Sequence, residues 1–325
     1  MKTFGKNKHN ERLIKATRTN IIRAAHALKK SHLVAFPTET VYGLGANATD
    51  ETAIEKIFVA KGRPKFNPLI VHVFSQEYAQ RFVDFCPIGR LLAAKFWPGP
   101  ITLILPKKVP CSISSSVSAG LESIAIRIPQ HPTALQLLKE SNIPIAAPSA
   151  NLSGAVSPTS AVHVLETWPH KHRISPKFIL DGGECNIGVE STVVDLTNNS
   201  PTILRPGGVT REQIEKIVGK LPNTNQNIKV LKSPGMLDKH YAPRTKIILN
   251  ASQPQPSGAF IALGDSHTNS KYNLSRSNSL DEAAANLFSL IREIDKKNYA
   301  SISIAPIPNH GLGIAINDRL KRAAS

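Results

Sequence analysis

Phe36-Pro-Thr-Glu-Thr-Val-Tyr-Gly-Leu-Gly45 is the stretch from which the fold of this chain can be read. An apolar run, Leu33-Val-Ala-Phe36, leads into it and reads as a strand. Pro37 stops regular pairing, and two threonines and a glutamate follow before Gly43-Leu-Gly45, which reads as a turn. A strand that ends in a bent polar loop is the usual place for a site in an α/β protein. Thr49-Asp50-Glu51 then opens a helix with Ile54, Ile57 and Phe58 at helical spacing. It closes in Lys61-Gly-Arg-Pro-Lys65, a dense cationic turn. Polar loop and basic turn together form the candidate floor of a site for an anionic substrate.

Working outward, a helix is expected over Thr19–Lys30, with Ile21, Ile22, Ala25 and Leu28 as its apolar stripe, after an N-terminus that reads as disordered to about Lys8. Pro68-Leu-Ile-Val-His-Val-Phe74 reads as a buried strand carrying His72, either a satisfied core histidine or a ligand. Phe74–Leu92 reads as helix with a break at Pro87, and Trp97-Pro-Gly-Pro100 as a rigid turn before strand Ile101–Leu105. Cys111–Gly120 reads as a loop. In Ser123-Ile-Ala-Ile-Arg-Ile-Pro129 the isoleucines share one face, which puts Arg127 on the other with Ala125. A cation there needs a partner, either a structural carboxylate or a bound carboxylate or phosphate.

Further on, the apolar run Ile143–Ala147 ends in Pro148-Ser-Ala-Asn-Leu-Ser-Gly154, a loop of small and hydroxyl residues suited to phosphate oxygens. Ser157-Pro-Thr159 reads as the cap of the next helix. Strands are expected at Phe178–Leu180, Ser191–Leu196 and Thr202–Leu204, and Thr210-Arg-Glu-Gln213 as a capping box. From Lys220 to Arg244 the composition shifts to a linker that carries Ser233-Pro-Gly-Met-Leu-Asp-Lys-His-Tyr-Ala-Pro243. Strands at Ile247–Leu249, Ala259–Leu263 and Ser301–Ile304, with helices after Ser279 and over Ile314–Ala324, form a second, mostly parallel α/β unit.

Several classes drop out. No apolar run is long enough to span a membrane, and the charged N-terminus has no secretory core. Three scattered cysteines, Cys86, Cys111 and Cys185, supply neither a disulfide framework nor a zinc site, which fits a reducing, cytoplasmic setting. Gly43-Leu-Gly-Ala-Asn-Ala48 fits the dinucleotide pattern in letters only. Six residues separate it from the strand end, and Arg63-Pro-Lys65 stands where the ribose-binding acid belongs. P-loop and nucleophile-elbow motifs are missing, and His170-Lys-His172 is too isolated for a metal site. A net charge of +17 points to anionic partners such as nucleotides or RNA. The remaining strand-end loops, rich in Thr, Arg, Lys, Ser, Asn and His with few carboxylates, suit a polyphosphate and a carboxylate held together, with chemistry by positioning and charge stabilisation.

The motifs Pro37–Gly45, Lys61-Gly-Arg-Pro64 with Asn67-Pro-Leu-Ile-Val-His72, Trp97-Pro-Gly-Pro100, Ala147-Pro-Ser-Ala-Asn151 and Gly188-Val-Glu-Ser-Thr192 resemble those of the YrdC-type threonylcarbamoyl-AMP synthases. The linker and the ending Gly311–Ala324 resemble the longer, two-domain branch, although Leu237-Asp-Lys239 departs from the Lys-Tyr-Arg of some members. The resemblance implies a twisted, open α/β sheet with a large basic cavity, followed by a small Rossmann-like domain. It divides the chain into a flexible N-terminus (1–18), a catalytic domain (19–219), a linker or lid (220–244) and a C-terminal domain (245–325).

The implied reaction takes L-threonine, bicarbonate or CO2, and ATP with Mg2+ to L-threonylcarbamoyladenylate and pyrophosphate. A transferase complex then passes the threonylcarbamoyl group to the adenosine at position 37 of tRNAs. By the family pattern Thr40, His72, Arg127, Ser191 and the backbone at Ala147 would hold threonine. Lys61, Arg63, Asn67, Ser123, Ser149, Asn151, Ser157, Arg205 and the linker's His240 would hold ATP. The resemblance implies no covalent nucleophile and no resident metal site. An RNA-binding protein without turnover, and a carbamoyl-transfer module like that of hydrogenase maturation, are the other readings. The latter proteins carry zinc fingers that this chain has no cysteine clusters to build.

Overall fold

The computed structural model describes residues 11–168, 174–198, 200–222, 240–265 and 270–325. The N-terminus to Lys8, His170-Lys-His172 and the linker up to Lys239 lie outside the described residues. The first part of the chain runs β1 (Leu13–Lys15), α1 (Arg18–Lys29), β2 (Val34–Phe36), β3 (Gly43–Asn47), α2 (Glu51–Lys61), β4 (Ile70–His72), α3 (Gln76–Ala79), α4 (Pro87–Phe96) and β5 (Ile101–Pro106). It continues through β6 (Ser123–Arg127), α5 (Pro132–Ser141), β7 (Ile145–Ala146), α6 (Ala161–Thr167), β8 (Phe178–Asp181), β9 (Thr192–Asp195), β10 (Thr202–Arg205) and α7 (Arg211–Val218). Among the described residues these strands form one ten-stranded mixed sheet, in the order β1-β8-β2-β3-β7-β4-β6-β5-β9-β10.

The sheet's two faces are used differently. On one, Leu44, Val71, Leu103, Ile124, Ile126 and Val194 pack under α2 and α4 in the largest core. On the other, Val34, Phe36 and Ile145 are covered by α1 and α5 through Ile21, Leu28, Leu137 and Leu138. That cover stops part-way across the sheet. Beyond it only a small apolar patch remains, Ile70, Ile104, Ala125 and Val193. His72 and Arg127 are register partners on β4 and β6, on the same face as that patch. The period-2 reading of Arg127 therefore holds, and it places the cation where the sheet face is left open.

The second part comprises β11 (Lys246–Ile248), β12 (Ala259–Ala262), β13 (Tyr272–Asn273), α8 (Leu280–Asp295), β14 (Ser301–Ile304) and α9 (Leu312–Ala324). Its sheet, ordered β11-β14-β12-β13, is parallel throughout. Its core takes in Val41, Val156 and Val189 from the first part, so the two units share apolar surface beside the open sheet face.

Four expectations change. Gly43-Leu-Gly45 is not a turn but the start of β3, antiparallel to β2. Glycine is there because a Cβ on Gly45 would lie 2.8 Å from Phe36 and 2.9 Å from Ile145. Phe74–Leu92 is not one helix: α3 ends after one turn, Val83 bridges to Lys107, and α4 restarts with Pro87 in its first turn. Ser157 caps no helix, since α6 starts at Ala161 with Ser160 as its cap. Within the segment 1–18 expected to be flexible, Leu13–Lys15 form β1, paired with β8; like β13, it carries too few residues for a periodic signal. The capping box at Thr210 and Gln213 and the cap at Ser279 form as read.

Candidate active site

The uncovered part of the sheet face, the loop after β2 and the linker residues His240 and Tyr241 line one pocket. One end is built on Arg127, which is buried. Its Nη2 pairs with Glu39 Oε1 at 2.6 Å, Nη1 donates to Thr40 Oγ1 at 3.0 Å, and Nε donates to the Gly99 carbonyl at 3.1 Å. The other Glu39 oxygen accepts from the Gln130 amide. The structural carboxylate partner of Arg127 is thus the glutamate of the opening stretch, and one N–H on each terminal nitrogen is left over. Thr38 fixes the loop: its hydroxyl donates to Val41 O at 2.7 Å and accepts from the Thr40 and Val41 amides.

His72 stands beside Arg127, edge-on to Phe36 at 6.1 Å. Burial, and then the Arg127 charge, push its imidazolium down to about 3, so the ring is neutral at physiological pH. Its Nδ1 is buried without a hydrogen-bond partner among the described residues. A neutral imidazole with an unsatisfied nitrogen at a pocket wall is a place for a ligand's hydrogen bond. Ala147 spends its N–H on Ile70 O, which leaves its carbonyl. Ser191 bonds Thr102 Oγ1 at 2.8 Å.

The other end is cationic. Lys61, the last residue of α2, is buried and donates to the carbonyls of Ser149 and Asn151. Gly62, in the left-handed conformation, turns the chain so that Arg63 follows it inward. Arg63 donates to Asn67 O at 3.1 Å and Pro68 O at 2.8 Å. Burial and then Arg205 push Arg63 down to about 9, and burial followed by Arg63 holds Lys61 well below the ordinary lysine range. Among the described residues no carboxylate reaches ion-pair distance of either cation. Two buried cations satisfied by carbonyl oxygens alone strongly favour an incoming anion. Arg205, from the end of β10, donates to the Ser191 carbonyl at 2.9 Å and hydroxyl at 3.1 Å. Both side-chain atoms of buried Asn67, and Asn151 Oδ1, also have no partner among the described residues.

Of the predicted residues, Thr40, His72, Arg127, Ala147, Ser191, Arg63, Ser149, Arg205 and His240 line the pocket together. Lys61, Asn67 and Asn151 stand behind that wall. Ser123 begins β6, four residues from Arg127, and does not line it. Ser157 is fully buried and turned to Glu190. Lys65 points outward to Glu55 and does not join the cationic end. The expectation of few carboxylates misses two: Glu39, and Glu190, which lines the pocket. Thr38 lines it without having been assigned a role, and Tyr241 lines it beside the linker's His240. No spacing rule marks Glu39, Glu190 or Tyr241, because each is placed by a partner distant in sequence, whereas Thr38 is held within its own loop.

Comparison with known proteins fits this geometry. Residues 26–207 match the family model of Sua5, YciO and YrdC proteins, described as telomere recombination. Residues 209–325 match the model of the threonylcarbamoyl-AMP synthase C-terminal domain. A threonylcarbamoyl-AMP synthase of Pyrococcus abyssi is 41% identical over 93% of this chain and 93% of its own length. One of Bacillus subtilis is 42% identical over 94% and 92%. The crystal structure of P. abyssi Sua5 complexed with L-threonine superposes with a TM-score of 0.86 at 38% identity, covering 96% of both chains. Fold and pocket thus define an α/β protein of the Sua5, YciO and YrdC class. Within that class, the chain belongs to the two-domain threonylcarbamoyl-AMP synthase family.

Proposed function

We propose that this chain is an L-threonylcarbamoyladenylate synthase: it condenses L-threonine, bicarbonate or CO2, and ATP to threonylcarbamoyl-AMP and pyrophosphate. The observation that carries the reading is the division of the pocket. A neutral, hydrogen-bonding end at Thr40, His72 and Ser191 meets a cationic end at Arg63 and Arg205, with Lys61 behind it on the Ser149 carbonyl. An amino acid fits the first and a triphosphate the second.

Threonine binds through Thr40, His72, Ser191, the Ala147 carbonyl and the remaining N–H groups of Arg127. His72 in its neutral form accepts or donates a hydrogen bond without competing for the amine's proton. The threonine amine attacks CO2 and loses a proton, giving a carbamate. A carbamate oxygen attacks the α-phosphorus of ATP, and the bond to the β-phosphate oxygen breaks to release pyrophosphate. Charge builds on the departing pyrophosphate, where Lys61, Arg63 and Arg205 are already in place and desolvated. Asn67, Ser149, Asn151 and His240 complete the nucleotide end, with Ser123 at its margin and Ser157 acting through Glu190.

Among the described residues no cluster of three His, Cys, Asp or Glu could hold a metal. In this reading Mg2+ would arrive on the phosphate oxygens of ATP. The adenylate is then consumed by a transferase complex acting on tRNA, in the cytoplasm; direct tRNA contact through the basic surface belongs to the same reading. Among the described residues no helix is long and apolar enough to cross a membrane. In this reading 19–219 is catalytic, 220–244 is the lid and 245–325 is the C-terminal domain. The test is pyrophosphate release with ATP and bicarbonate. Release that requires threonine supports the proposal, and release indifferent to threonine refutes it.

A further inference from the structure

Glu190 is the one pocket-lining carboxylate whose ion-pair partner comes from the other domain. Its Oε2 accepts from Arg319 Nε on α9 at 2.8 Å, and its Oε1 from Ser157 Oγ at 2.7 Å. Arg319 is fully buried. Its Nη1 pairs with Asp318 at 2.7 Å, and its guanidinium lies 5.4 Å from the centre of the Tyr241 ring. The same helix end holds the segment that closes the pocket: the His240 amide donates to Arg322 O, and Tyr241 stacks on Phe288 of α8. One arginine of the C-terminal domain therefore ties together Glu190, the loop that carries Ser157, and the His240-Tyr241 segment.

Glu190 is a hazard in a site built for phosphates. Burial alone would favour its neutral form, but the charges of Arg319 and Arg205, with hydrogen bonds from Arg319 and Ser157, keep it ionised. Arg205 bonds the carbonyl and hydroxyl of Ser191, the residue after Glu190, and lines the same pocket, so it lies beside this carboxylate and is also a candidate phosphate ligand. Freed from Arg319, the carboxylate has Arg205 as its other cation, and an ion pair there would cancel charge that the nucleotide needs.

We propose that Arg319 is a positioning residue for the nucleotide end of the pocket: it holds Glu190 away from the phosphate-binding cations, so the ATP site is complete only when the two domains are docked. This rests on the proposed synthase reading. It assigns the C-terminal domain a role in ATP affinity, although Arg319 itself does not line the pocket.

The test is pyrophosphate-release kinetics on full-length wild type, Arg319→Met, and the double variant Arg319→Met with Glu190→Gln. Wild type is assayed first; if it shows no threonine-dependent release, the synthase reading itself has failed. In an active background, Arg319→Met is expected to raise KM for ATP about tenfold or more and KM for threonine less than about threefold. The double variant, which has no carboxylate to release, is expected to return KM for ATP to within about threefold of wild type. It also carries the test if Arg319→Met alone fails to fold. Equal losses for both substrates in Arg319→Met, or a double variant as poor toward ATP as about tenfold above wild type, would overturn the proposal and leave a plain domain-joining ion pair.

Discussion

Two buried arginine–glutamate pairs flank the pocket, and they are built in opposite ways. Arg127 and Glu39 belong to one sheet and the loop beside it, and each is also tied to local backbone, Gly99 and Gln130. Arg319 and Glu190 sit in different domains, 129 residues apart, and meet only where α9 docks. The first pair shapes one end of the pocket from within the catalytic fold. The second makes the other end depend on the neighbouring domain. Buried charge costs desolvation wherever it is placed, so neither pair is mainly a source of stability. What each provides is a fixed carboxylate position beside cations meant for substrate.

The largest effect is expected from breaking the local pair. Arg127→Ala leaves Glu39 buried without its cation, which should cost about 3–5 kcal/mol of stability. It should also raise the threonine requirement far more than that for ATP. Thermal unfolding and substrate titrations check both; equal loss toward the two substrates would make Arg127 purely structural.

The cross-domain side can be disturbed without touching a charge. A Cβ on Gly207 would lie 2.2 Å from Glu190 O and 2.5 Å from Thr192 N, backbone atoms that cannot turn aside. Gly207→Ala should therefore shift the loop of Glu190 and Ser191 and cost about 1–3 kcal/mol or more. Its KM for ATP should rise along with the loss in Tm. An unchanged KM would show that the loop's position is not critical.

Acid should separate the buried histidines from Glu190. His72 is pushed down to about 3, so the unfolded chain binds its proton first as pH falls below about 6.5. Stability from the neutral ring is complete above that value and is lost progressively between about 6.5 and 3. Glu190 is held at about 2, so its contribution is complete above about 4.3 and is lost between there and 2. Tm against pH should thus decline in two stages. His72→Gln should shrink the upper stage, which His163 (pushed down by burial to about 4) and His240 (by burial to about 3) share, and Glu190→Gln only the lower one.

The smallest effect should come from Lys296 and Glu166, which also bridge the domains, at 2.6 Å, but with side chains 52% and 38% exposed. Lys296→Ala should change stability by less than about 1 kcal/mol and leave both KM values alone. A large effect there would mean that domain docking, rather than Glu190 in particular, governs the ATP end.

The same contrast explains what could be read from the sequence. Arg127 was legible because a charge on an alternating strand is anomalous within a few residues, and Lys61 and Arg63 because they end a periodic helix. Glu190 stands in the motif Gly188-Val-Glu-Ser-Thr192 without a legible role, since a glutamate among Gly, Ser and Thr looks like surface until Arg319 is brought to it. Gly43 and Gly45 were misread because glycine marks turns and close packing alike, and only Phe36 and Ile145 distinguish the two. Ser157 looked like a helix cap because the hydroxyl-Pro-Thr pattern is shared. Its actual partner, Glu190, lies 33 residues away.

The central claim is tested most directly by pyrophosphate release from ATP and bicarbonate with threonine, serine or glycine in turn. The predicted result is release that depends on threonine and falls sharply with the other two. Release equal with all three, or none with any, would contradict it.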